Sequence, residues 1–122
     1  MHDAAISNKS GKIFYAMDSE NRIHSSLFLI WDSESSYVHM IGEDPQLRNS
    51  GAGILLIWKA IEYTSKVLNL HKFDFEGSMI ESVEQVRRDF GATQVPYFTV
   101  NKMSPRAKLL FPIYQFIVKV SR

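Results

Sequence analysis

At 122 residues the chain has room for one domain around one core, and its 45% apolar and 22% charged residues exclude an intrinsically disordered segment. A formal net charge of +1 carries no basic excess for gripping a polyphosphate backbone, so DNA is not an expected partner and tRNA is one that charge does not favour. The absence of cysteine removes disulfides, a thiolate nucleophile and a Cys-ligated zinc site.

The polar stretch Met1 to Gly11 lacks the charged-then-apolar layout of a signal peptide. The apolar stretch Leu109 to Val118 is broken by Pro112 and Gln115 and falls short of the roughly 20 residues that span a bilayer. A soluble, cytoplasmic chain without a membrane span is the expectation.

Lys12 to Asp18 is short and aromatic-rich, and it runs into the turn-like Ser19-Glu20-Asn21-Arg22, which predicts a strand. Ile23 to Trp31 supplies a hairpin partner, and its run Leu27-Phe28-Leu29-Ile30-Trp31 predicts burial on both faces. After polar Asp32 to Ser36, a third strand is expected over Tyr37 to Ile41, stopped by Gly42 and Pro45. From Ile54 to Leu70 the period changes: Ile54, Leu55, Ile57, Trp58, Ile61 and Leu68 recur at three- and four-residue spacings, predicting a helix packed on the sheet.

His71 to Glu76 alternates like a strand, and a strand-helix-strand unit requires parallel pairing with the third strand. Ile80 to Phe90 is expected to be a helix with Ser78 as N-cap and Gly91 as its stop. A last strand is expected over Thr93 to Asn101, at an edge or bulged because Pro96 cannot donate to a ladder. Pro105 to Val120 reads as a helical tail kinked at Pro112. The fold class expected is α/β (α+β): a mixed, mostly antiparallel sheet flanked by helices, one domain over residues 1–122 with its core at 12–102 and a tail at 103–122.

Arg48-Asn49-Ser50-Gly51-Ala52-Gly53 falls between a strand end and a helix start, where unpaired backbone N–H groups and the positive end of the helix dipole converge. Gly51 and Gly53 let the backbone approach an anion closely, and Arg48 can add a charge-assisted contact. Spacing alone equally describes a plain glycine-rich loop before a buried helix.

Arg48, Gly51 and Gly53, placed after a strand and before a long helix, form an Arg-x-x-Gly-x-Gly pattern that resembles the acyl-CoA pyrophosphate motif of the GNAT acyltransferase superfamily. Phe73 to Ser78, Val86 to Gly91 and Val95-Pro96-Tyr97 resemble the closing segment of its FemAB-like members, which carry two GNAT-like units. Two departures stand: Val86-Arg87 replaces the family's usual Phe-Lys, and the tyrosine that many GNAT enzymes place just before that point has no counterpart.

The resemblance implies a GNAT-like sheet with one splayed parallel strand pair, and transfer of an acyl group from acetyl-CoA or another acyl-CoA to an amine on a small molecule or peptide. No metal is required. The donor would be held by Arg48, Asn49, Ser50, Gly51, Ala52 and Gly53, with backbone groups at Val38 and Met40 along its arm. Glu76 is the general-base candidate, with a solvated carboxylate at a strand end as the plainer reading. Arg87 could contact a phosphate or a tetrahedral intermediate, or simply face solvent. Tyr97 could face the acceptor, or pack.

His39 alone among four scattered histidines lies near the expected cleft, and a packing or hydrogen-bonding role is expected for it. A FemAB-like aminoacyl-tRNA donor with a cell-wall acceptor, and a non-catalytic GNAT-like unit, are the alternatives. A missing N-terminal domain would accommodate the short segment before Lys12, and a homodimer could pair through the Pro105 to Val120 tail.

Overall fold

Two aspartates organise the hairpins that start the fold. In a computed structural model, which describes residues 2–77 and 80–96 with Phe98, Lys102 and Ser104, strand β1 (Gly11–Met17) turns into β2 (Ile23–Trp31), and β2 into β3 (Ser35–Glu43). Asp18 Oδ1 accepts the backbone N–H groups of Glu20 and Arg22 at 2.9 and 3.0 Å, and Asn21 takes a left-handed φ of 62° between them. Asp32 Oδ1 does the same for Glu34 and Ser35 at 2.7 and 2.8 Å. Side chains that bond the backbone two or three residues on replace ladder bonds with turns. The contact with His24, joined by the Arg22 N–H, holds the Asp18 carboxyl well below the usual range. For Asp32 the backbone N–H groups do so.

A six-residue helix, α1 (His2–Ser7), precedes the strands. Ala5 comes so close to Gly11 that a Cβ there would sit 2.8 Å from it and 3.1 Å from the Phe28 ring, so glycine at 11 makes the approach possible. After β3, a single 3-10 turn over Arg48–Ser50 leads into α2 (Ala52–Lys66), then β4 (Lys72–Asp74) and α3 (Glu81–Asp89). The sheet order is β1-β2-β3-β4, with the first two pairings antiparallel and β3–β4 parallel, as the strand-helix-strand order requires.

The core forms where α2 lies on the sheet: Leu27 and Leu29 of β2 and Val38 of β3 meet Leu56, Ile57 and Ala60. Fully burying each such leucine or isoleucine contributes about 1.5–3 kcal/mol. Ser36 and Thr64 are buried polar groups with mutual satisfaction: Thr64 Oγ1 donates to the Ala60 carbonyl at 2.8 Å and accepts from Ser36 Oγ at 2.7 Å. Phe73, Phe75 and Phe90 pack on this core, with ring centroids 5.1 and 6.1 Å apart in succession.

Several expectations need correction. Helix α2 begins at Ala52 and ends at Lys66, because Asn69 turns left-handed (φ 55°) and the Leu70 N–H returns to the Thr64 carbonyl. Its buried face is Ala52, Gly53, Leu56, Ile57, Ala60 and Thr64, which leaves Ile54, Leu55 and Trp58 at least half exposed. Ile80, not Ser78, is the N-cap of α3; Ser78 lies outside the described residues. Gly91 stops that helix as expected, with φ 83°.

Residues 1–91 form one compact unit and 92–122 another. Of the expected strand over Thr93 to Asn101, residues 93–96 are irregular, in keeping with a proline that removes a ladder donor. Tyr97, residues 99–101 and the tail Pro105 to Val120 lie outside the described residues. Among those described, no helix is long and apolar enough to cross a membrane.

Candidate functional site

The Arg48 to Gly53 segment turns as its glycines suggest. Gly51 is left-handed at φ 75° and forms the N-cap of α2 without a side-chain cap, which glycine tolerates at no steric cost. Of the first N–H groups of α2, that of Ala52 reaches Ser50 Oγ at 3.4 Å and that of Leu55 closes on the Gly51 carbonyl at 3.1 Å. Those of Gly53 and Ile54 find no acceptor among the described residues. Arg48, Asn49 and Ser50 are exposed around them. An anion placed here would meet open N–H donors and the positive end of a 15-residue helix.

One anion is already near. The carboxylate of Glu43, the last residue of β3, lies against Gly53 so closely that a Cβ at 53 would collide with its Oε1 and sit 3.1 Å from its Cδ. Gly53 therefore makes room for Glu43 at the helix start. Sequence patterning gave the glycine and not the carboxylate, because the contact is tertiary.

The second part of the site is the gap between β3 and β4. Their parallel pairing runs Ser35–Lys72, Ser36–Phe73 and Tyr37–Asp74 and then ends, so from Val38 onward β3 has no β4 partner. On its other side β3 carries an extra residue: Val38 pairs with Leu29 and Met40 with Phe28, which leaves His39 as a bulge. A bulge bends the strand and re-aims the extra side chain. The Val38 side chain is buried in the core, whereas that of Met40 is 64% exposed.

Across the gap Asp74 Oδ1 accepts the Glu76 N–H at 2.7 Å, and Glu76 and Gly77 are both left-handed, at φ 53° and 42°. This turn carries the Glu76 carboxylate to His39, whose Nδ1 is 3.4 Å from each carboxylate oxygen. The His39 ring also meets the Phe28 ring edge-on at 6.0 Å. Of the other candidates, Arg87 on α3 is half-buried, and its Nη1 is shielded from solvent with no hydrogen-bond partner among the described residues. Tyr97 lies outside the described residues.

A groove of about 730 Å³ lies elsewhere, between β1 and α2, with Phe14, Ala16, Leu55 and Tyr63 in its walls. Its carboxylate, Glu62, is held at about 2 by the ammonium groups of Lys59 and Lys66, each 2.8 Å away. A carboxylate so committed has little capacity to take a proton near neutrality.

No family model and no curated protein matches this chain. Solved structures do. It is similar to a Pyrococcus furiosus protein assigned as an acetyltransferase, with a TM-score of 0.68 at 16% identity over 84% of this chain and 72% of that one. Mutant forms of the spermidine/spermine N-acetyltransferase SpeG of Vibrio cholerae give a TM-score of 0.65 at 19% identity over 82% and 64%. AAC(6')-Iy in complex with the bisubstrate analogue CoA-S-monomethyl-acetylneamine gives 0.67 at 12% identity over 84% and 75%. Identities this low speak to fold: the mixed sheet, with its β3–β4 parallel pair flanked by helices, is the GNAT fold.

Proposed function

We propose that this chain is an N-acyltransferase that moves an acyl group from an acyl-CoA to an amine. The observation that carries the reading is the uncapped N-terminus of α2, set at the end of a strand that has parted from its parallel neighbour. The donor's pyrophosphate would meet the N–H groups of Gly51, Ala52 and Gly53, with Asn49 and Ser50 beside them and Arg48 at the rim. Its arm would follow the unpaired edge of β3 past Met40 and Val38, where backbone groups take the place of a missing strand. The acyl group would then lie in the gap. Attack by an amine held there gains mainly from proximity and from an oxyanion-directed N–H. The Glu76 carboxylate stands at the edge of that gap beside His39, where a proton must leave the amine. Arg87 is assigned to a phosphate or to the tetrahedral intermediate.

Support comes from the GNAT-fold neighbours, one of which is complexed with a CoA bisubstrate analogue. Calorimetry with acetyl-CoA is the test. Saturable heat is expected from the intact chain, with a loss of about tenfold or more in affinity for Gly51→Val, equivalent to one or two charge-assisted hydrogen bonds. Circular dichroism of the variant guards against mistaking unfolding for lost contacts. No heat from the intact chain would remove the reading.

An aminoacyl-tRNA donor is the second reading, on the FemAB-like resemblance. Its aromatic residues Phe73, Phe75 and Phe90 are packed together on the core, so that part of the resemblance has a structural cause. A tRNA gel shift at low salt tests what remains of it.

A further inference from the structure

We infer that the proton of the attacking amine is taken by His39 Nε2, and that Glu76 acts by holding the imidazole in the tautomer that exposes this nitrogen. The inference rests on the acyltransferase reading and assigns the base within it. The bulge in β3 aims His39 into the mouth of the gap, and the left-handed Glu76 brings its carboxylate to Nδ1 and not to Nε2. A carboxylate accepting from Nδ1–H leaves the Nε2 lone pair free. Nε2 has no partner of its own among the described residues. The His39 side chain is 24% exposed and that of Glu76 39%, so the imidazole is the more sheltered of the two and the carboxylate the more open to water.

The neighbouring charged groups are occupied otherwise. Asp74 on β4 is bonded to the Glu76 N–H, Tyr37 on β3 donates to Asp32 at 2.9 Å, and β2 presents the uncharged Phe28 ring. Among the described residues Glu76 is the one group within ion-pair reach of His39.

The step balances as follows. The acceptor ammonium gives one proton to His39 Nε2, and the freed lone pair forms the C–N bond while the carbonyl π pair moves to oxygen. When that pair returns, the C–S bond breaks, and the second proton on nitrogen neutralises the departing thiolate. The imidazolium proton passes to water, which leaves amide, thiol and one released proton.

Three proteins decide this: the intact chain, His39→Gln and Glu76→Gln. They are assayed with acetyl-CoA and spermidine as probe amine, over a range of pH. In the intact chain kcat/KM is expected to fall on the acid side as the base becomes protonated. His39→Gln is expected to lose about 100-fold with that acid limb abolished, the usual scale for one proton-transfer group. Glu76→Gln is expected to lose less, about tenfold, because the imidazole is then no longer held in the tautomer that exposes Nε2. Calorimetric affinity for acetyl-CoA stays within twofold in both. Imidazole ¹⁵N shifts give a readout that needs no turnover: Nδ1–H with bare Nε2 in the intact chain, reverting towards the Nε2–H form in Glu76→Gln. An unchanged rate and limb in His39→Gln, or an unchanged tautomer in Glu76→Gln, overturns the inference while the acyltransferase reading survives. An intact chain that neither binds nor turns over acetyl-CoA overturns both.

Discussion

The start of α2 and the gap between β3 and β4 are built from opposite materials. At the helix start a left-handed glycine is the N-cap, so the cap residue offers no side-chain acceptor to the first backbone N–H groups. At the gap the pairing stops, and two side chains from segments 37 residues apart meet across it. If the turn holds an anion through its backbone, it will be robust to exchange of its exposed side chains and sensitive to any added Cβ. If the pair handles a proton through its side chains, it will have the reverse sensitivities. Changes at each therefore separate binding from chemistry.

The largest effect is expected from Gly53→Val, which drives a branched side chain into the Glu43 carboxylate at a buried position. Overpacking of this kind costs about 1–3 kcal/mol. Urea unfolding should show that loss, and calorimetry a fall in acetyl-CoA affinity with it; an unchanged midpoint would mean that Glu43 moves aside freely. Next comes Thr64→Val, which strands the Ser36 hydroxyl one residue before the pairing of β3 and β4 ends. An unsatisfied buried hydroxyl costs about 1–3 kcal/mol. Hydrogen exchange at Tyr37 and Val38 should accelerate if the mouth of the gap depends on that bond.

A smaller change is expected from Glu43→Gln. It withdraws a negative charge from the site where a phosphate would bind, and charges at a helix terminus are worth about 0.3–1 kcal/mol. Acetyl-CoA should bind up to about fivefold more tightly, and weaker binding would show that Glu43 helps rather than competes. The smallest change lies outside both regions. Glu62 is lowered from 4.5 to about 2 by Lys59 and then Lys66, so its contribution to stability is present above the ordinary value and is lost as pH falls towards 2. Glu62→Gln should flatten the acid side of the stability curve over that interval in a circular-dichroism titration, while binding at neutral pH is unaltered.

The contrast also explains what could be read from the sequence. Gly51 and Gly53 announce their turn locally, and the period change after Gly53 announces α2. The alternation at His71 to Glu76 announces a strand whose parallel partner follows from the helix between them, although only Lys72–Asp74 forms it because the Asp74 side chain turns the backbone at Glu76. His39 against Glu76 could not be read, because the bulge that turns His39 outward depends on β2 register and the left-handed Glu76 on an aspartate two residues earlier. Ile54, Leu55 and Trp58 fit a helical period yet lie away from the buried face, since apolar residues at consecutive positions fit more than one face. Helix α1 escaped notice because six residues carry too little periodicity; its position depends on the Ala5–Gly11 approach.

Glu76 carries one further consequence. A residue with a Cβ held at φ 53° costs about 1–2 kcal/mol relative to glycine, and glycine follows it at once in the same conformation. Among random variants of this chain ranked only by melting temperature, Glu76→Gly should therefore be favoured, as should Lys9→Gly at φ 55°, and the former would discard the carboxylate that faces His39. Thermal screening and screening for acyl transfer would then pull position 76 in opposite directions.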